Sequence, residues 1–122
     1  MDTATDRHLQ TGRWAEKNAP AFLRRSGLKL LEKNYRCTFG EIDLIMQDGE
    51  NLVFVEVCYR NSSRFGGALA SVDYHKQRSG RATAEHYLQE HPRARNKPCR
   101  FDVLGVTEQS DQPDFDWITN AF

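Results

Sequence analysis

The chain has 122 residues, enough for one hydrophobic core and too few for two domains of ordinary size. Lys plus Arg and Asp plus Glu are both 17, so net charge marks it neither as a nucleic-acid binder nor as a membrane binder. The three cysteines, Cys37, Cys58 and Cys99, are an odd set without CxxC spacing, which argues against a disulfide framework and a zinc ribbon. No apolar run approaches the ~18 residues of a membrane span, and residues 1–10 lack the apolar core of a signal peptide, so the expected compartment is a reducing cytoplasm.

A first helix is predicted from a cap at Asp6 or Thr11 to about Ser26, with Gly27 as its C-terminal stop. Gly12, Glu16, Ala19 and Leu23 fall on one stripe, joined by Ala15 and Phe22. Glu16 is an acid on that packing stripe and needs a partner or a task, because an unpaired buried charge is costly; a rim residue paired with Arg24 or Lys17 is the competing reading. Pro20 removes a backbone hydrogen bond inside the helix. Residues 29–37 read as a strand whose charges suit a sheet edge.

Residues 39–60, FGEIDLIMQDGENLVFVEVCYR, carry two alternating runs joined at Asp48-Gly49, the pattern of a β-hairpin. A turn over residues 48–51 sets Asp43 opposite Glu56 and Glu41 opposite Cys58, and directly opposed side chains nearly touch. Two facing carboxylates repel unless something positive lies between them. A hard divalent cation suits such a pair, since Mg²⁺ is typically held by one or two carboxylates plus substrate phosphates. A solvent-facing surface, or carboxylates paired with Arg or Lys, is the alternative.

Residues 61–67 read as a polar, Gly-rich loop flanked by Arg60 and Arg64. Ser71 or Asp73 is placed as the cap of a second helix ending near Glu90, with Val72, Lys76, Thr83, Tyr87 and Leu88 on its inward stripe and a weak point at Ser79-Gly80. Residues 100–106 are a fourth strand, parallel to the third because a helix links them. Residues 116–122 finish the chain with Trp117, Ile118 and Phe122 over the core. The result is an αβββαβ order in one α/β domain, with a central mixed sheet flanked by helices. Between residues 58 and 81, Arg60, Arg64, Lys76, Arg78 and Arg81 face one acid, Asp73, while residues 101–122 carry five acids and no Lys or Arg. A basic middle beside an acidic end fits a phosphate-facing side, and a solvated face fits as well.

Asp43, then Glu56-Val57-Cys58, resembles the D-x(n)-E-x-K signature of the PD-(D/E)xK, or restriction-endonuclease-like, nucleases. G-R-W-A-E at 12–16, G-E-I-D-L-I at 40–45, F-V-E-V at 54–57, Lys76, R-F-D-V at 100–103 and the terminal N-A-F resemble the bacterial YraN-like family of predicted endonucleases, which is also similar to archaeal Holliday-junction resolvases. The resemblance implies a restriction-endonuclease-like core and a cytoplasmic endonuclease, dependent on Mg²⁺ or Mn²⁺, that acts on DNA, including branched or single-stranded forms. It implies Asp43 and Glu56 as metal ligands and Glu16 as a further ligand or water-orienting group, with Glu41 a lesser candidate. Cys58 stands where the family carries a basic residue, so the electrostatic role falls to Lys76 assisted by Arg60. Arg60, Arg64, Lys76, Arg78 and Arg81 are the candidate DNA contacts.

The competing function is a catalytically degenerate module that binds nucleic acid without cutting it. A Cys58–His75 nucleophilic pair and a soft-metal site built from Cys37, Cys58, Cys99 and a His are two minor alternatives. Whether two-strand cutting calls for a homodimer is left open by the sequence.

Overall fold

The computed structural model describes residues 4–60, 72–109 and 112–122, without the side chains of residues 4–11, 59–60, 108–109 and 112. The expected loop at 61–67, with Arg64, and the alternative cap Ser71 lie outside the described residues. In chain order the elements are α1 (Ala4–Arg25), β1 (Lys29–Cys37), β2 (Gly40–Asp48), β3 (Asn51–Arg60), α2 (Tyr74–Glu90), a 3₁₀ turn (Pro92–Ala94), β4 (Cys99–Gln109) and β5 (Gln112–Ile118). One mixed sheet runs in the order β1-β2-β3-β4-β5. All pairings are antiparallel except β3 with β4, where the α2 connection makes the strands parallel.

Alternation along the strands explains the layers. Leu44, Met46, Val53 and Val55 pack with Ala19 and Leu23 of α1. The intervening Ile45 and Phe54, with Leu52, pack instead with Ala84 and Tyr87 of α2. The two helices therefore cover opposite faces of the sheet, and the central strands are apolar on both sides. This is an α/β fold consistent with the expected restriction-endonuclease-like core.

Several expectations need correction. The first helix is already formed at Ala4, so Asp6 and Thr11 lie inside it and do not cap it. Its end agrees with the sequence: Gly27 has φ of 101°, and Leu28 N–H donates to Leu23 O at 3.0 Å. The terminal segment is an antiparallel edge strand, β5, that begins at Gln112, earlier than the expected apolar finish. The second helix is capped by Asp73, whose carboxylate accepts the Lys76 N–H at 2.9 Å. On α2, Thr83 and Tyr87 are buried as expected, but Lys76 is exposed.

The β1–β2 turn is fastened to α2. Ser79 donates to Phe39 O at 2.6 Å, and the next residue, Gly40, has φ of 152°. A side chain at Gly40 would collide with Ser79 and crowd Thr83, so only glycine lets the turn approach the helix this closely. The suspected weak point at Ser79 is thus a docking contact.

Candidate active site

The hairpin pairs Asp48 with Asn51 and continues in step to Leu44 with Val55. Gly49, with φ of 60°, begins a two-residue loop, so the expected register holds with a shorter loop than residues 48–51. Beyond Leu44 and Val55 the two strands part. The remainder of β2 stays with β1, through Ile42–Tyr35 and Glu41–Arg36, while β3 stays with β4, through Glu56–Val103 and Cys58–Gly105. Asp43 and Glu56 are the next residues in register and stand at the mouth of this fork.

Asp43 takes over part of the lost ladder, its Oδ2 accepting the Val57 N–H at 2.8 Å. Burial raises the Asp43 pKa; the Val57 hydrogen bond opposes this, Glu41 adds to the rise, and Lys76 and Glu56 act to lower it. Glu56 is pushed up to about 7, first by burial and then by the negative charge of Asp43, with Lys76 opposing. The side-chain interaction between the two carboxyls favours the proton on Glu56, raising its pKa and lowering that of Asp43. Both acids therefore lie within reach of the Lys76 charge.

A cavity of about 340 Å³ opens beside the fork. Its wall comprises Gly12, Ala15, Glu16 and Ala19 of α1, Lys33, Asn34 and Arg36 of β1, Glu41, Asp43 and Leu44 of β2, Val57 of β3 and Val106 of β4. Asp43 is consequently open to the α1 side through this cavity and also feels the charge of Lys76 on α2. Glu56 follows Phe54 by two residues on the α2 side and does not line the cavity.

Asp43 and Glu56 act on each other and both feel the Lys76 charge, while Glu16 is exposed on the wall of the cavity that Asp43 also lines, rather than on the buried stripe. Among the described residues, no three His, Cys, Asp or Glu side chains are grouped to hold a metal ion. The donor set is thus two carboxylates, which fits a hard divalent cation completed by water and phosphate oxygens and not a site closed by protein alone. Glu41 departs from its expected place opposite Cys58: it pairs across to β1, where the Arg36 guanidinium meets its carboxylate at 3.3 Å.

Cys58 is 5% exposed, packed with Val72 and Val103 and flanked by Ile118 and Phe122. Arg60 is on β3 opposite Thr107, with its side chain outside the described residues. Arg78 and Arg81 are exposed on α2, the first with its guanidinium 5.9 Å from the Tyr74 ring centre and the second 5.6 Å from that of Phe122.

Sequence reasoning missed Lys33, Asn34 and Arg36. They looked like charges blurring an edge strand, but a register shift between Leu30 and Glu32 and the left-handed Asn34, φ 53°, set the local course of β1. A charged strand with an asparagine in its middle was the only signal.

Residues 15–106 match the family model described as "Uncharacterised protein family UPF0102". The chain belongs to the UPF0102 family. A UPF0102 protein of Alcanivorax borkumensis is 52% identical over 113 residues, covering 92% of this chain and 90% of that protein. A UPF0102 protein of Nitrosococcus oceani is 48% identical over 115 residues, covering 94% and 93%. This is the YraN-like family suggested by the sequence motifs. The span matched to UPF0102 contains Glu16, Asp43, Glu56 and Lys76, so every element around the fork belongs to the family's common region. Among the described residues of this UPF0102 chain, no helix is long and apolar enough to cross a membrane.

Proposed function

We propose that this UPF0102 protein is a Mg²⁺- or Mn²⁺-dependent DNA endonuclease of the PD-(D/E)xK type, acting in the cytoplasm on DNA that includes branched forms resembling resolvase substrates. The observation that carries the reading is the Asp43–Glu56 pair: two half-buried acids face each other at a strand fork, and burial together with their mutual charge drives Glu56 up to about 7. Acids so placed are under-compensated by the protein, and a cation with a phosphodiester supplies the missing positive charge and ligands.

Asp43 and Glu56 would hold the cation, with Glu16 positioned on the cavity wall to orient a water. When bound, the cation supplies Lewis-acid polarisation of the phosphate and a lowered water pKa. Val57 N–H fixes one Asp43 oxygen, leaving the other for ligation. Lys76 approaches from α2 and favours the ionised form of both acids. It is a cation suited to offset charge gathering on the phosphoryl oxygens. Arg60, further along β3, is the proposed assistant. Cys58 supplies no positive charge in either protonation state, so it cannot take the role of the basic motif residue.

The burial of Cys58 at a position that is basic in the motif favours one second reading, a DNA-binding module that has lost cleavage. Incubating linear, flapped and four-way DNA with Mg²⁺ or Mn²⁺, for the parent and for Asp43→Ala, separates the two. Metal-dependent cleavage by the parent alone supports the nuclease. DNA binding with no cleavage supports the module.

A further inference from the structure

Two described aromatic side chains stand outside the core clusters, on segments that lead to the site. Among the described residues, Phe39 and Tyr74 are 58% and 70% exposed, whereas Phe54, Tyr87 and Phe101 pack on one another. Phe39 belongs to the turn before β2, and the Ser79 bond to its carbonyl holds that turn against α2. Tyr74 opens α2 directly after the Asp73 cap, and Arg78 lies one turn on, over its ring. Their sequence neighbours tie both to the site. Glu41, two residues after Phe39, and Lys76, two residues after Tyr74, both act electrostatically on Asp43 and Glu56. An aromatic residue thus stands on each of the two segments that bear on the carboxylate pair, with Lys76 and Arg78 as exposed cations on α2.

Exposed aromatic surface interleaved with cations is suited to nucleic acid whose bases are unstacked, because every base offers a π face and its phosphate meets the cation. Continuous duplex buries those faces in its own stack and offers the rings nothing to cover. We propose that Phe39 and Tyr74 are base-stacking residues, and that the substrate presents unpaired nucleotides beside the phosphate delivered to Asp43 and Glu56. The preferred DNA is then a single strand, or the single-stranded arm of a branched structure, in preference to continuous duplex. This inference rests on the nuclease reading only for where the phosphate lies; the stacking itself is a binding property. Arg78 covers one side of the Tyr74 ring, so a base takes the other.

The test is fluorescence anisotropy in EDTA, with a labelled oligothymidylate of about 16 nucleotides and a closed duplex of equal length. The parent is expected to bind the single strand more tightly than the duplex. Phe39→Ala and Tyr74→Ala should each weaken single-strand binding about tenfold and leave duplex binding unchanged. Tyr74→Trp should keep the affinity, and its added fluorescence should be quenched by the oligonucleotide. Since both side chains are exposed, thermal melts should match the parent. Unchanged single-strand affinity in both alanine variants, or a parental preference for duplex, overturns the inference. Metal-dependent cleavage is scored separately. Stacking-dependent binding without cleavage of any DNA would leave this inference standing and remove the nuclease reading; cleavage of continuous duplex with alanine variants that bind like the parent would do the reverse.

Discussion

Asp102 and the Asp43–Glu56 pair are acids in the same sheet with opposite fates. Asp102 is fully buried and accepts from Arg100 Nε at 3.0 Å, Arg100 Nη2 at 3.2 Å, Trp117 Nε1 at 3.0 Å and the Asn120 backbone N–H at 2.9 Å. Arg100 is itself braced by Asp48 at 3.0 Å, and its pKa is raised, chiefly by the hydrogen bond to Asp102. A buried charge supplied with that many donors is a joint, here fastening β4 to β5 and the terminal segment. Asp43 has one backbone N–H, a rival carboxyl and a lysine acting at a distance. The contrast teaches that an acid in a strand marks a reactive site only when the protein leaves its charge incompletely met.

The sharpest way to break the comparison is to truncate one acid of each kind. Asp43→Ala should lower metal-dependent cleavage by roughly 10²–10³-fold, the scale of a lost transition-state charge contact. Chemical denaturation should find its stability changed by no more than about 1 kcal/mol, since the lost Val57 bond is offset by relief of repulsion with Glu56. Asp102→Ala should do the opposite. It strands Arg100, Trp117 and Asn120 without their acceptor and should cost about 3–5 kcal/mol in urea unfolding.

A smaller effect follows from the direction of the Glu56 shift. Its folded pKa, about 7, lies above the ordinary 4.5, so the folded state holds this proton more tightly than the unfolded chain does. Metal-free protein should therefore lose stability as pH rises from about 4.5 to about 7, by on the order of 2–3 kcal/mol. Glu56→Gln should flatten that slope in denaturant titrations across this range. A slope that survives the substitution would assign it to other groups. The smallest effect belongs to Lys76. With Lys76→Ala, cleavage should fall about tenfold, and the pKa of Glu56 should rise further, because an opposing positive charge is gone. Cleavage at the parental rate would show that the electrostatic role lies elsewhere.

The hairpin register, β1 and the parallel β4 were legible in the sequence because they rest on periodicity and short turns, which are local. Asp43 opposite Glu56 followed from the same regularity. The start of α1 was misread because Asp6 and Thr11 are good capping residues by type, while the helix is set by its packed stripe at Ala15, Ala19 and Leu23. Glu41 was misplaced because the expected pairing was carried past the fork, and nothing in an alternating run announces where two strands part. The motifs R-F-D-V and N-A-F were visible as resemblances without a physical role. That role is a bond between Asp102 and the Asn120 backbone, across 18 residues of chain.

The central claim is that Asp43 and Glu56 together bind a divalent cation, and Mn²⁺ titration followed by electron paramagnetic resonance at pH 8, with a non-cleavable oligonucleotide present, addresses it directly. The parent should bind Mn²⁺ in competition with Mg²⁺, and Asp43→Ala and Glu56→Gln should each abolish that binding. Equal Mn²⁺ occupancy in the parent and both variants, or none in the parent, would contradict the account.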